Sequence, residues 1–294
     1  MKENPVLRLL SITLGFFLFL FAAGCDTVES TTDSEAGLTL DQDVAESVGA
    51  LMAEDTGGLL EQAGDAFALA TPEGISASAK NGTSVVRTYD EATGMWTITV
   101  SREAGHPTDT RMMSLTRVYE VQYLNADGEQ QKFYVTEGDT AQTMVLRLVE
   151  GNGVFETPRL KAVRTDLSGE LVATGIDTDE VTLNGAYQRS GEHERITPGI
   201  TRTMTYDMTL EVIDLVGPRG SRLNLSEKVN GTLIGRYTGT LTIKRGDVLE
   251  QHDFDREVRV EIVDGEMTVT INGVPYDFDP ASGDGRFHSP PVTG

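Results

Sequence analysis

The chain alternates apolar and polar side chains with a period of two residues from Thr83 to Phe278, and this alternation constrains its fold more than any other feature. Successive side chains of a strand point to opposite faces, so the pattern predicts strands with one buried and one exposed face. The clearest buried run is Met204, Tyr206, Met208, Leu210 and Val212. Turn residues separate the runs and no helical period lies between them, which favours an antiparallel meander over a parallel α/β sheet.

The alternation predicts strands at residues 84–89, 95–102, 117–124, 130–136, 143–149, 160–164, 170–174, 181–188, 201–215, 233–244, 256–263, 266–271 and 274–278. Asn272-Gly273 is typical of a type I′ hairpin turn, whose two central residues need positive φ. Gly151, Gly153 and Pro158 indicate a boundary between a first β region, 83–150, and a second, 158–279. The Gly- and Pro-rich tail, 280–294, is predicted to be disordered.

Residues 38–72 form the one segment with a helical period. Val44, Val48, Leu51 and Met52 recur at helical spacing. Thr39 and Gln42 have the spacing of a capping box, and a second short helix is expected after Gly57-Gly58. We therefore predict a mainly β fold, a sandwich or a curved, partly closed sheet, with this helical segment packed against it.

The first residues have the order of a signal peptide: a charged start, an apolar run, and small residues before a cysteine. The uncharged run from Leu9 to Gly24 is shorter than the roughly 20 residues of a membrane-spanning helix. Phe21-Ala22-Ala23-Gly24-Cys25 resembles the lipobox of bacterial lipoproteins, with Ala22 where a leucine usually stands. The resemblance implies that residues 1–24 are removed and that Cys25 is lipidated.

The resemblance also implies a location. We expect a lipid-anchored protein outside the cytoplasm, in the cell envelope, with residues 25–37 as a flexible acidic tether. The outer membrane is favoured over the inner membrane. In some bacteria, however, an acidic residue in the place of Asp26 retains a lipoprotein in the inner membrane.

The net charge of −22 excludes nucleic acid as a partner, because the phosphate backbone would be repelled. Arginine also outnumbers lysine. An acidic, lysine-poor surface resembles proteins from salty habitats, and an ordinary acidic secreted protein is the alternative.

Few residues suggest chemistry. His106, His193, His252 and His288 are scattered singly, so each is expected in a solvated loop and no metal site is predicted. Trp96 alternates in phase with Ile98 and Val100, which indicates a core residue. Calcium is the one cofactor that the sequence suggests, although a solvated acidic surface is favoured. Its candidate ligands are Asp253, Asp255, Asp277, Asp279 and Asp284.

Three classes of function follow. The first is a non-catalytic envelope lipoprotein, a structural or interaction module whose partners are the membrane, through Cys25, and an unknown protein or apolar ligand. The second is a carrier of lipid or another apolar molecule, which requires a cavity of a few hundred Å³ between sheet and helices. The third is a hydrolase of envelope material or polysaccharide with paired carboxylates, which requires a concave cluster of acids with raised pKa values.

Overall fold

Nearly every long strand pairs with the strand before it and the strand after it in the chain. The computed structural model describes residues 38–76, 82–105 and 109–286, so the predicted signal peptide, Cys25, the tether, His106, His288 and residues 287–294 lie outside the described residues. The helices are α1 (Leu40–Met52) and α2 (Leu59–Leu69). The strands are β1 (Thr83–Asp90), β2 (Met95–Ala104), β3 (Met112–Leu124), β4 (Gln130–Gln131), β5 (Val135–Thr136), β6 (Asp139–Thr140), β7 (Thr143–Glu156), β8 (Leu160–Thr174), β9 (Glu180–Thr197), β10 (Ile200–Pro218), β11 (Asn230–Arg245), β12 (Val248–Val263), β13 (Glu266–Ile271), β14 (Val274–Phe278) and β15 (Gly285–Arg286).

One antiparallel sheet contains all of these strands except β5 and β6, which pair with each other. Its order is β1-β2-β3-β7-β8-β9-β10-β11-β12-β13-β14-β15, with β4 added beside β3, and over the described residues the sheet is not closed. The predicted mainly β fold, an antiparallel meander with a helical segment packed on it, is confirmed. The strands form one sheet rather than the two sheets of a sandwich.

The core lies between the two helices and one face of the sheet, called here the inner face. The predicted run in β10 is buried on this face from Met204 to Val212. The capping box of α1 is present, with Thr39 N donating to Gln42 Oε1 and Gln42 N donating to Thr39 Oγ1. Neither helix of the described residues is long and apolar enough to cross a bilayer.

The sheet does not divide near Gly151. Strand β7 runs through Gly151 and Gly153, and its two halves both pair with β8. Between these halves the pairing is interrupted, and the register with β3 shifts at Val118 and Tyr119. The glycines therefore accommodate a bulge inside a long strand, a common role of glycine in curved sheets. The two predicted β regions belong to one continuous sheet.

Three local predictions need correction. The predicted strand 130–136 is interrupted, because residues 132–134 form a bend between β4 and β5. The predicted strands 160–164 and 170–174 are one strand, β8. The first part of the predicted disordered tail is ordered: Pro280 O and Ala281 O accept hydrogen bonds of 3.1 and 2.8 Å from Glu54 N and Asp55 N. The hairpin at Asn272-Gly273 is confirmed, with φ of 49° and 84° at its central residues.

Candidate functional site

A buried group of charges joins α2 to the sheet. It consists of Glu61 and Asp65 on α2, Arg102 on β2, and Arg117 and Tyr119 on β3, and is called here the α2 ion network. Arg102 and Arg117 each donate hydrogen bonds to both carboxylates. The hydroxyl of Tyr119 donates to Asp65 Oδ2 at 2.9 Å. Asp65 is 0% exposed and Arg117 is 1% exposed, so the centre of the network is buried, while Glu61 lies at its partly exposed edge.

The charges of this network decide the ionisation of Asp65. Burial alone would raise the pKa of this carboxyl, but the positive charges of Arg102 and Arg117 outweigh burial and hold its pKa below the ordinary value. A carboxylate so well supplied with donors binds the helix to the sheet.

Three inward-facing arginines bind the connection between the helices. Arg189 Nη1 donates to Leu51 O at 2.8 Å, Arg164 Nη2 to Thr56 O at 2.6 Å, and Arg117 Nη2 to Gly57 O at 3.0 Å. The last carbonyls of a helix have no partner within the helix and carry partial negative charge, so cations suit them. These arginines therefore hold the end of α1 and the turn that follows it against β3, β8 and β9.

A second group of ionisable side chains lies under the start of α1. It comprises Asp43, Glu46, His193, Arg195 and Arg202, and is called here the α1 cluster. Burial raises the pKa of Asp43 to about 7 against the opposing charge of Arg202. Burial likewise raises the pKa of Glu46, and it lowers the pKa of His193 to about 3.

The contacts explain why the Asp43 carboxyl is poorly stabilised as an anion. Arg202 Nε lies 3.1 Å from Asp43 Oδ1, yet it makes no hydrogen bond within the described residues, and Asp43 Oδ2 has no partner there. The cavity between these side chains measures about 10 Å³, which is about the volume that one water needs. Acids with raised pKa values are thus present, around a cavity with room for about one water.

An open pocket lies where α2 ends over β1, β2 and β3. It has a volume of about 380 Å³ and is called here the aromatic pocket. Its lining residues are Leu69, Thr71, Pro72, Glu73, Gly74, Arg87, Trp96, Ile98, Tyr123, Phe133, Tyr134 and Val135. A carrier of an apolar molecule would require a cavity of a few hundred Å³ between sheet and helices. This pocket has a volume in that range, and of the two helices it touches only Leu69, the last residue of α2.

Aromatic rings form much of the pocket wall. The ring centroids of Trp96 and Phe133 are 5.9 Å apart, and those of Tyr123 and Tyr134 are 6.5 Å apart with an edge-on geometry. Tyr89 packs on the far side of Trp96, with the centroids 5.0 Å apart. Most of these rings are buried or half-buried, but Phe133 is 51% exposed.

Hydrogen bonds to backbone carbonyls fix the rings in place. Trp96 Nε1 donates to Lys132 O at 2.6 Å, Tyr123 Oη to Leu69 O at 2.8 Å, and Tyr134 Oη to Ile176 O at 2.7 Å. The polar ends of these side chains are therefore already bonded within the protein. Their apolar surfaces remain available to a ligand.

The outer face of the sheet carries a wider but shallower hollow of about 1100 Å³ across β8 to β13. Its charged groups include Arg236 and Arg259, which form ion pairs on the open surface with Asp255 and Glu261. The hollow thus consists of one exposed sheet face whose arginines already have acidic partners. The aromatic pocket has the concave apolar form that binding sites for small molecules usually have.

The structure separates the residues that the sequence singled out. Trp96 shares the inner face with Ile98 and Val100 as predicted, but it is only half-buried and lines the pocket. His193 is not in a solvated loop, because β9 directs it into the buried α1 cluster. His252 is exposed on β12. Among the described residues, the candidate calcium ligands form no group of three or more that could hold a metal ion.

Sequence reasoning missed the inward arginines and Phe133. The alternation could have indicated that two of these arginines point inward. Arg117 lies an even number of residues from the apolar Tyr119 and Val121, and Arg102 lies two residues after Val100, so each shares their face. Phe133 gave no such signal, because it lay within a predicted strand. The chain matches no protein-family model, no curated protein and no solved structure.

Proposed function

We propose that this chain is a lipid-anchored, non-catalytic binding module of the cell envelope, and that its folded part binds an apolar or aromatic group in the aromatic pocket. The observation that carries the proposal is an open pocket of about 380 Å³ walled by Trp96, Tyr123, Phe133 and Tyr134. That volume lies at the lower end of the range for small-molecule sites, about 300–1,000 Å³. The lipid anchor at Cys25 is proposed from the sequence alone, because Cys25 lies outside the described residues.

The form of the pocket supports a binding role. An exposed ring such as Phe133 gains free energy when a ligand removes it from water, roughly 25 cal/mol per Å² of apolar surface. Because the tyrosine and tryptophan polar atoms are already bonded, an apolar ligand would leave none of them without a partner. The ring wall thus adds little penalty for burying polar groups, and the charged groups that a ligand meets are those of Arg87 and Glu73.

The carrier function is a second candidate, because the pocket lies between the end of α2 and the sheet. The two functions differ in release: a carrier transfers its ligand to an acceptor membrane, whereas a fixed module retains it. Transfer of a bound ligand to acceptor vesicles would distinguish them.

Trp96 makes the proposal directly testable, because it is the only tryptophan of the chain and it lines the pocket. The protein would be the chain from Asp26 to Gly294, which contains the whole folded unit that begins at Leu38. After exposure to an envelope lipid extract, we expect a bound mass in native mass spectrometry and a shift of Trp96 emission.

Phe133→Ala should weaken that binding, and its matched control is Val263→Ala, an equally exposed residue at the β12–β13 turn. Phe133 is 51% exposed and Val263 is 56% exposed, so neither truncation should disturb the core. A chain that acquires no mass and shows no emission change would refute the pocket as a binding site.

The anchor has its own test. Cys25→Ser should move the chain from the membrane fraction to the soluble extracytoplasmic fraction, because the acyl chains would be missing. Membrane association that persists in this variant would contradict lipidation at Cys25.

A further inference from the structure

Arg87 gives the aromatic pocket a positive charge that forms no ion pair within the described residues. It lies on the inner face of β1, opposite Ile98 of β2, and lines the pocket. One of its terminal nitrogens donates to Ile75 O. Among the described residues no carboxylate lies within ion-pair distance of its guanidinium, although Glu73 also lines the pocket. By contrast, the nearby Lys132 is paired with Glu91 at 2.5 Å.

The polar groups of the lining tyrosines, tryptophan and threonine are already bonded, and the other charged group of the lining is the carboxylate of Glu73. Besides the aromatic residues described above, Thr71 Oγ1 donates to Ala68 O at 2.8 Å. A guanidinium carries five N–H donors, and those of Arg87 that Ile75 O does not use remain available. In a chain of net charge −22, a cation without an acidic partner beside a wall of rings is a distinct local feature.

We infer that the pocket binds an amphipathic anion, whose apolar part packs on Trp96 and Phe133 and whose carboxylate or similar oxyanion accepts hydrogen bonds from Arg87. The inference rests on the proposed function and names its ligand class. Charge-assisted hydrogen bonds are the stronger ones, and the guanidinium fork matches a planar carboxylate. A neutral ligand would leave this interaction unused.

A cationic ligand offers the opposite chemistry. Aromatic faces attract cations, so the rings alone would favour it, whereas Arg87 would repel it. The charge preference of the pocket therefore reports whether Arg87 or the rings select the ligand.

Three probes with the same alkyl chain separate these contributions: decanoate, decanol and decyltrimethylammonium. Each would be titrated below its micelle concentration into the chain from Asp26 to Gly294, with Trp96 emission as the readout. We expect decanoate to bind about tenfold or more tightly than decanol, because a hydrogen bond to a charged group contributes at least that factor. Decyltrimethylammonium should bind least tightly.

Variants of Arg87 test whether this residue causes the preference for an anionic ligand. Arg87→Gln should remove the advantage of decanoate and leave decanol binding unchanged, while Arg87→Lys should retain most of it. The matched control is Arg236→Gln, which removes an arginine from the outer face, away from the pocket. Unchanged decanol binding also shows that the substitution has left the pocket wall intact.

The outcomes distinguish a failure of the proposed function from a failure of the inference about an anionic ligand. If none of the probes changes Trp96 emission, the proposed function fails. If all three bind equally, the pocket binds apolar groups but the inference about an anion is wrong. If decanoate binds best and Arg87→Gln does not weaken it, Arg87 is not the group that recognises the anion, and the inference is likewise overturned.

Discussion

The two helices each bury an aspartate against arginines of the sheet, yet the pKa values of these aspartates shift in opposite directions. Asp65 on α2 has hydrogen bonds from Arg102, Arg117 and Tyr119, and its pKa is lowered. Asp43 on α1 has Arg202 at 3.1 Å without an aligned hydrogen bond, and its pKa is raised to about 7. Burial is thus common to both, and the number of aligned donors decides which form is favoured.

The difference separates two uses of the same residue types. In the α2 ion network the charged form stabilises the fold, because every buried charge has partners. In the α1 cluster the charged form of Asp43 is the costly one, and the fold is more stable when this carboxyl holds a proton. A buried ion pair therefore cannot be counted as stabilising from its distance alone.

The largest expected effect is on the α2 ion network. Asp65→Asn should lower the free energy of unfolding at neutral pH by about 3 to 5 kcal/mol, because Arg102 and Arg117 would remain buried without their main anion. Urea denaturation would measure it. In the same network, Glu61→Gln should cost less because the Glu61 carboxylate is partly exposed to water, whereas that of Asp65 is not. A loss of less than about 1 kcal/mol for Asp65→Asn would contradict the view that the charged form of Asp65 stabilises the fold.

Asp43→Asn should raise the free energy of unfolding at neutral pH, whereas Asp65→Asn should lower it. Asparagine imitates the protonated carboxyl, so the variant should equal the native chain near pH 4 and exceed it near pH 8. The raised folded pKa, about 7 against 3.8, sets a limit of about 4 kcal/mol, and we expect about 3 kcal/mol. Denaturation at the two pH values measures the difference. A variant that is less stable at the higher pH would show that Arg202 stabilises the ionised form.

His193 provides a smaller effect with the reverse pH dependence. Its folded pKa of about 3 lies below its ordinary 6.5, so it contributes stability that is lost as the pH falls from about 6.5 toward 3. Relative to the native chain, His193→Gln should therefore gain about 2 kcal/mol between pH 6.5 and pH 4. Taking the difference between the two chains cancels the contributions of Asp43 and Glu46. A difference that does not vary with pH would place a protonated histidine in the α1 cluster.

The smallest effect is expected on the outer face. Arg236 forms a bidentate pair with Asp255 in full contact with solvent. Arg236→Gln should leave the denaturation midpoint within experimental error, because water and salt screen an exposed pair. A clear loss of stability would show that short ion-pair distances matter here even without burial.

The parts of the fold that could be predicted from sequence depend on local patterns. The alternation in β10, the capping box of α1 and the Asn272-Gly273 turn each involve residues close together in the chain, and all three are confirmed. The course of β7 could not be predicted in this way. Gly151 and Gly153 suit either a boundary or a bulge, and pairing with the distant β8 decides between them.

The bend in the pocket wall is a second part of the fold that could not be predicted from the sequence. The apolar alternation from Gln130 to Thr136 predicts a strand, but side chains take up the backbone carbonyls that a strand would use. Gln131 Nε2 donates to Phe133 O and Tyr134 O, and Trp96 Nε1 donates to Lys132 O. The bend that exposes Phe133 thus results from side-chain bonds that no periodicity records.

The inward arginines were not predicted from the sequence, although the alternation contains their phase. Their phase puts them on the inner face, yet arginine is usually exposed, so the pattern alone favours no partner for them. The partners are acids and carbonyls of the helical segment, which lies far away in sequence. Part of the excess of arginine over lysine serves this purpose, since one guanidinium can donate to several acceptors at once. The buried arginines are Arg102, Arg117, Arg164, Arg189 and Arg202.

The contacts of the α1–α2 connection have a consequence for the order of folding. Most strands of the sheet pair with the strand before them in the chain, but Glu54 N and Asp55 N donate to Pro280 O and Ala281 O, which lie near the other end of the described residues. Bringing such distant segments together has a high entropic cost, and distant contacts slow folding. The contacts of the α1–α2 connection with residues 280 and 281 are therefore expected to be among the last native contacts to form.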